Sequence, residues 1–342
     1  MNAVDHNNVV IFDDRGIPSI MCRFVRPKDA EEVPAVFKIG DKVVDAIYIS
    51  KYPNTVIDGR AYSMPMADPT ANITFNKAVQ ACRCKGLGWH LTTAVEYEYL
   101  LNQSREKGTM PHGNTDWGKD YCHRDEQGRE SNFGRTYTGT GPVTWNHDHT
   151  PYGVSDLNGN VREWLAGLRI KDGVIEFIPD NKAASPYCDL SKDSAEWQQA
   201  ETSKGPVRAN VECGEITITD AVAADDYTPD YNGVRIDELE VELSEIPQVL
   251  KDLGIIPDKR AEEEDKTCVY FDATEGEYLP IRGSAFLDTS YSGPSALYLL
   301  YPRSDSHESI GFRSAFYEVN GKMLSEEASH IRSLKVLSGG IE

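Results

Sequence analysis

"YGVSDLNGNVREWLAGLRI" runs from Tyr152 to Ile170 and carries more local information than any other segment of the chain. Asn158-Gly159 supplies a tight turn, because glycine tolerates positive φ, and Asn160 can bond neighbouring backbone amides through its side chain. After the turn, Val161, Trp164 and Leu165 are placed to face a core. Glu163 stands beside a tryptophan with the pattern of a buried residue, where a carboxylate reads as a structural hydrogen-bond acceptor rather than a catalyst. The segment opens a little like a calcium loop, but Val161 stands where the sharp-turn glycine belongs and Gly167 where the last bidentate carboxylate belongs, which excludes an EF-hand.

Around this segment, 342 residues with 39% hydrophobic content are ample for a globular core. Lys and Arg total 35 against 55 Asp and Glu, a net charge of −20, which repels phosphate backbones and anionic membranes and argues against nucleic acid as a partner. No apolar run approaches the roughly 20 residues of a membrane span, so no membrane insertion is expected. "MNAVDHNNVVIFDDRG" lacks the basic patch and apolar stretch of a secretion signal. Seven cysteines, an odd number on a long chain, argue against a disulfide framework. Cys82, Cys84, Cys122 and His123 lack the spacing of a zinc site, and the thiols read as buried or unpaired.

Four stretches follow. Residues 1–45 hold short apolar runs, "VVIF", "IMCRFV" and "AVFKI", that read as hairpin-like strands, continued by "DKVVDAIYISKY". "ITFNKAVQACRCKGLG" places Phe75, Ala78, Val79 and Cys82 at helical spacing before Gly86 and Gly88. "LTTAVEYEYLL" begins a second helix, with Thr93 and Glu96 spaced as a capping box and Val95 and Tyr99 one turn apart. Residues 108–150 read as long loops pinned by Trp117, Tyr121, Tyr137 and Trp145. Within an acidic stretch of about 180–270, "RIDELEVELS" alternates like a strand, "SEIPQVLKDLG" reads as a short helix and "DKRAEEEDK" as a solvated loop. There is no GxSxG elbow, phosphate-cradling GxxxxGK[ST] or HExxH helix.

"GVSDLNGNVREW" resembles the signature of the formylglycine-generating-enzyme (sulfatase-modifying factor) family, built on the C-type lectin fold. "WHLTTAVEYEYL" is similar to that family's "RLPTEAEWEYA" helix, and "IRGSAF…IGFR" to its "RGGSW…GFR" frame. The resemblance implies an α+β, C-type lectin-like fold of the formylglycine-generating type, with long ordered loops, two amphipathic helices and an acidic insertion. It divides the chain into a β-rich segment 1–45, suited to attachment or oligomerisation, and a lectin-like domain 46–342. Its frame residues would be Asn158, Gly159, Asn160, Glu163, Trp164, Arg282, Gly283, Gly311, Phe312 and Arg313. In the catalytic members reactive cysteines follow the "RGGS" element. The corresponding window, "FLDTSYSG", contains none, so the thiolate nucleophile and copper ligand implied by the family are missing. A related iron-dependent branch uses a histidine-rich site, but the eight histidines are dispersed, and His147 and His149 read as loop packing. No cofactor is expected. The resemblance allows a structural calcium near Asn158, Asn160 and Glu163, partly through backbone carbonyls.

The stretch 281–313 resembles a narrower branch, the diversity-generating retroelement variable proteins, whose binding residues are encoded by Asn codons rewritten at adenines. Rewriting the first two positions of AAC or AAT never yields Lys, Glu, Gln, Met or Trp. None of the five occurs in the 22 residues Phe286–His307, although they supply 61 of the 342 residues overall. "ALYLLYPRSDSHESIGFR" is similar to the branch's "ALNLNNARSNSNNNIGFR". It keeps Ala296, Leu297, Leu299, Arg303, Ile310, Gly311, Phe312 and Arg313, and departs at Tyr298, Leu300, Tyr301, Pro302, Ser304, Ser306 and His307. Alternation of Leu297 and Leu299 with Tyr298 and Leu300 suits a strand with one face inward and the other displayed. The displayed set would be Phe286, Leu287, Asp288, Ser290, Tyr291, Ser292, Ser295, Tyr298, Leu300, Tyr301, Ser304, Ser306 and His307. Tyrosines would serve as anchors and Ser or Asp as adaptable hydrogen-bonding groups, over something near the ~800 Å² per partner of a standard interface. The expected partner is a variable protein or glycan on a cell surface. The expected setting is a phage tail, another assembled particle or a cell surface, with homo-oligomerisation or particle attachment through residues 1–45 and part of the acidic insertion. A divergent modifying-factor oxidase, a hydrolase using loop 108–150 and a structural particle component are the alternatives.

Overall fold

A computed structural model describes residues 6–223, 226–256 and 267–318. The loop "DKRAEEEDK", like the first five residues, lies outside these. Strands outnumber helices throughout, in a mixed α/β arrangement.

The hairpin expected near the N-terminus forms from His6–Phe12 and Pro18–Val25. It is closed by Asp13, whose Oδ1 accepts the Arg15 and Ile17 amides at 2.9 and 2.8 Å, and by Gly16 at φ +77°. "AVFKI" departs from the expectation: Ala35–Phe37 is a 3-10 turn, and only Lys38–Ile39 is extended. Pro18–Val25 pairs with Ala46–Ser50, so a boundary after residue 45 falls inside a continuous sheet. That five-stranded sheet runs His6–Phe12, Pro18–Val25, Ala46–Ser50, Ser314–Tyr317, Trp89–Leu91, with the last strand of the described chain in its interior. Lys85 ties the hairpin to the following helix: its ammonium lies 3.2 Å from the centre of the Trp89 ring and donates to Ser19 Oγ at 2.7 Å. Burial pushes its pKa well below the ordinary lysine value.

Both expected helices are present, and α1 is the clearly amphipathic one, since α2 buries Glu96, Glu98 and Ser104 along with its apolar residues. α1, Phe75–Arg83, starts at Thr74, whose hydroxyl accepts the Lys77 amide. It buries Phe75, Ala78, Ala81 and Cys82 in a core shared with Trp164, Ile281 and Phe312. α2, Ala94–Lys107, has both halves of the Thr93–Glu96 capping box and ends at Gly108 in the left-handed region, a start and stop worth about 1 kcal/mol each. Tyr97, Leu100 and Leu101 of α2 pack against Phe24, Phe37, Ile47 and Ile49.

A twelve-stranded sheet carries the rest. The acidic stretch is woven into it: Arg208–Glu212 and Glu215–Thr219 form a hairpin that buries Ala209, Val211, Ile216 and Ile218 against Ile170, Phe271 and Leu299. "RIDELEVELS" is broken by a 3-10 turn at Ile236–Glu238, where Ile236 turns into the core; Arg235 ends the strand Tyr231–Arg235 and Glu240–Glu242 forms another. The short helix forms at Gln248–Asp252 with Leu250 buried. No helix among the described residues is long and apolar enough to cross a membrane.

Loop 108–150 is ordered, but not by the four aromatics expected. Only Trp145 is buried; Tyr137 is half-buried, and Trp117 and Tyr121 face solvent. Polar side chains fix the backbone instead. Glu126 accepts from Trp145 Nε1 at 2.9 Å and Thr144 Oγ1 at 2.8 Å, and Asp120 accepts from the amides of Gly113, Cys122 and His123. Close by, Asp156 is buried at φ +60°, and the Gly139 amide at 3.4 Å is a weak partner. Burial pushes its carboxyl up to about 6. The folded state therefore favours the protonated acid, and holding Asp156 ionised lowers stability above pH 6. Asn also tolerates this backbone. Asp156→Asn is expected to raise unfolding free energy by about 3 kcal/mol at neutral pH, from ~1.4 kcal/mol per pKa unit. The gain should shrink as pH falls through 6 and vanish below about 4, as read by urea denaturation across pH.

Candidate functional site

Arg162–Trp164 lies between two other short strands. It pairs antiparallel with Glu277–Arg282, Glu163 opposite Arg282, and parallel with Ile310–Phe312, Glu163 opposite Gly311. Two of the sequence landmarks, "NVREW" and the two ends of "IRGS…IGFR", are thereby neighbouring strands. Arg313, fully buried, clamps them. Its Nη2 donates to Glu163 Oε1 at 2.7 Å and Nε to Oε2 at 3.0 Å, and further bonds reach the carbonyls of Ser50, Lys51 and Ser155. Arg282, equally buried, donates to Glu98 of α2 at 3.0 Å and to the Ser295 carbonyl at 3.2 Å. Gly283 is at φ +73°, and a Cβ there would meet the Leu157 carbonyl oxygen at 2.5 Å, so only glycine fits. Trp164 donates its indole N–H to the Ile73 carbonyl and meets Phe75 edge-on.

The polar groups proposed for calcium are mostly committed elsewhere. Both Glu163 oxygens accept from Arg313, and the Asn160 amide exchanges bonds with Thr136 N and O at 2.9 and 3.1 Å. Asn158 donates to the Pro111 carbonyl, and of these side chains' polar atoms its Oδ1 alone has no hydrogen-bond partner.

The stretch between the two frame ends divides sharply. Ser290, Tyr291, Ser304, Ser306 and His307 are exposed, as is Pro302, while Leu287, Ser292, Leu300 and Tyr301 are half-buried. Four residues expected on display are interior. Phe286 is sealed by Trp117, edge-on at 5.1 Å, and by the backbone of Gly134. Ser295 is buried, its hydroxyl accepting from Arg105 at 2.8 Å. Asp288 receives Arg162 at both oxygens, the Ala285 amide at 2.8 Å and the Tyr298 hydroxyl at 3.3 Å. Tyr298 itself is 4% exposed: it stacks on Tyr270 at 4.7 Å, under the Arg162 guanidinium at 4.6 Å. The strand alternates as expected, but its sheet is covered on both faces. Leu297 and Leu299 enter one core and Tyr298 the other, and burial pushes the Tyr298 phenol up.

Arg162 is the residue that sequence reasoning missed at the centre of this network; its place between Val161 and Glu163 in the signature was the available signal. Trp117 and Phe133 were missed as exposed neighbours of the stretch, and their exposure has no sequence mark. All seven cysteines are free thiols.

The fold and frame thus define a sheet-rich, mixed α/β domain whose C-terminal stretch is gripped at both ends. Residues 48–216 match the family model of the sulfatase-modifying factor enzyme 1-like domain. The match contains "WHLTTAVEYEYL" and "GVSDLNGNVREW" and ends before "IRGS". Among solved structures, PvdO from Pseudomonas aeruginosa is 14% identical over 90% of this chain and 98% of its own, with a TM-score of 0.35. Treponema denticola variable protein 1 is 11% identical over 90% and 98%, with a TM-score of 0.33. The Major Tropism Determinant I1 variant is 12% identical over 93% and 73%, with a TM-score of 0.34. No curated protein sequence matches.

Proposed function

We propose that this chain is a non-catalytic ligand-binding protein, a C-type lectin-like scaffold that displays exchangeable side chains for recognition of a protein or glycan on a cell surface. One observation carries the reading: the segment 286–307 is pinned by the buried Arg162–Asp288 pair and by Arg282 at the Ser295 carbonyl, while the side chains of Ser290, Tyr291, Ser304 and Ser306 face solvent and make no hydrogen bond among the described residues; His307, also exposed, bonds Ser309 Oγ at 2.8 Å. Side chains so placed can change without cost to the fold. Among the buried thiols, burial pushes Cys22 up to about 12 and Cys188 up to about 11, away from the thiolate that a nucleophile requires; Cys84, Cys122 and Cys213 are exposed. Display on a phage tail or similar particle suits such a face.

The test is binding of the labelled protein to a panel of bacterial cells, repeated after protease and after periodate treatment to separate protein from glycan ligands. Binding to a subset of strains is expected. Tyr291→Ala with Tyr301→Ala should reduce it at least ~10-fold, as expected for aromatic anchors. Stoichiometric copper or iron with oxidase turnover, or binding indifferent to both tyrosines, would sink the reading.

A further inference from the structure

The geometry points to a second, fixed part of the contact face: an aromatic and acidic rim supplied by loop 113–137 and fitted to a partner that presents basic side chains. It rests on the face proposed above. The loop is laced to the start of the stretch, Trp117 N donating to the Phe286 carbonyl at 2.8 Å and Thr289 N to the Thr115 carbonyl at 2.9 Å. Trp117 is 57% exposed, Phe133 71% and Tyr291 58%. Exposed aromatics gathered beside a candidate contact surface are what a binding interface uses. Trp117 at φ +47° and Phe133 at φ +55° also occupy left-handed backbone, which bulky residues rarely adopt and which concentrates at functional sites.

The charges around the rings give the partner's sign. Arg124, Arg135 and Arg162 are each engaged with a carboxylate of the chain, Asp116, Asp68 and Asp288. Arg129, exposed, lies over the Tyr137 ring at 5.4 Å, and Lys119, two residues after Trp117, is half-buried. Glu130 is exposed and packs on Gly118, directly after Trp117. Glu308 is exposed too, and its carbonyl accepts from Arg135 Nη1 at 3.1 Å, next to Phe133. Neither glutamate has a salt bridge among the described residues. The exposed Trp117 ring, with the unpaired carboxylates of Glu130 and Glu308 on the same rim, attracts Lys or Arg by cation–π and Coulomb attraction together, and the net charge of −20 acts in the same direction; the Phe133 ring, already under Arg135 at 5.9 Å, adds apolar contact.

Trp117 is the exposed one of five tryptophans, so iodide quenching reports on it directly. The probes are a lysine-glycine peptide and a glutamate-glycine peptide of equal length. The basic peptide is expected to shield Trp117, and calorimetry should show its affinity reduced about 10-fold by Trp117→Ala and about 3-fold each by Phe133→Ala and Glu130→Gln. Glu240→Gln with Glu242→Gln, in the acidic stretch, should leave it unchanged. Equal loss in that distant control, equal binding of the acidic peptide, or no shielding of Trp117 overturns the proposal. Cell binding that falls with Tyr291→Ala but survives Trp117→Ala and Phe133→Ala overturns the rim and leaves the exchangeable face standing.

Discussion

Arg313→Ala should leave the chain largely unfolded in native buffer. The guanidinium is wholly buried, and its loss strands the Glu163 carboxylate and the carbonyls of Ser50, Lys51 and Ser155 in the interior. Removing one partner of a buried pair costs about 3–5 kcal/mol, and orphaned carbonyls add more. Against a typical total of roughly 5–15 kcal/mol this is most of the stability. Arg313→Lys should recover little, since one ammonium cannot reproduce a planar fork reaching several acceptors. Circular dichroism and urea denaturation of the two variants decide it; a cooperative transition near the wild-type midpoint for Arg313→Ala would contradict the clamp.

Asp288→Ala is expected to cost about 3 kcal/mol and to abolish cell binding together with it, because Arg162, the Ala285 amide and the Tyr298 hydroxyl all lose their acceptor. Two residues on, Ser290→Ala should stay within ~0.5 kcal/mol of wild type, as should Tyr291→Ala. Urea midpoints for these three variants place the line between frame and face at a resolution of single residues. If Asp288→Ala is as mild as Ser290→Ala, the network around Arg162 does not hold the stretch.

Much of this could be read from residues alone. Thr93 with Glu96 announced the start of α2, and the spacing of Phe75, Ala78 and Cys82 gave α1, because capping and amphipathic periodicity are local signals. Glu163 as an acceptor was also legible, since a carboxylate beside a buried tryptophan must be satisfied. The split within Phe286–His307 was not. Phe286 and Tyr298 look like display residues until Trp117, Gly134 and Tyr270, distant in sequence, are laid over them. How the acidic stretch joins the large sheet was not legible for the same reason: strand pairing such as Arg208–Glu212 with Val174 is long-range, and composition carries no trace of it.

The strand Ser314–Tyr317, directly after the exchangeable stretch, is flanked on both sides in the five-stranded sheet by Ala46–Ser50 and Trp89–Leu91. Synthesis therefore delivers the piece that joins these early segments only after residues 286–307 have been made. A chain cut within that stretch lacks an interior strand of the sheet, and Arg313 with it, and cannot close. Any variant of that stretch must therefore be translated through to Tyr317 before the sheet can close.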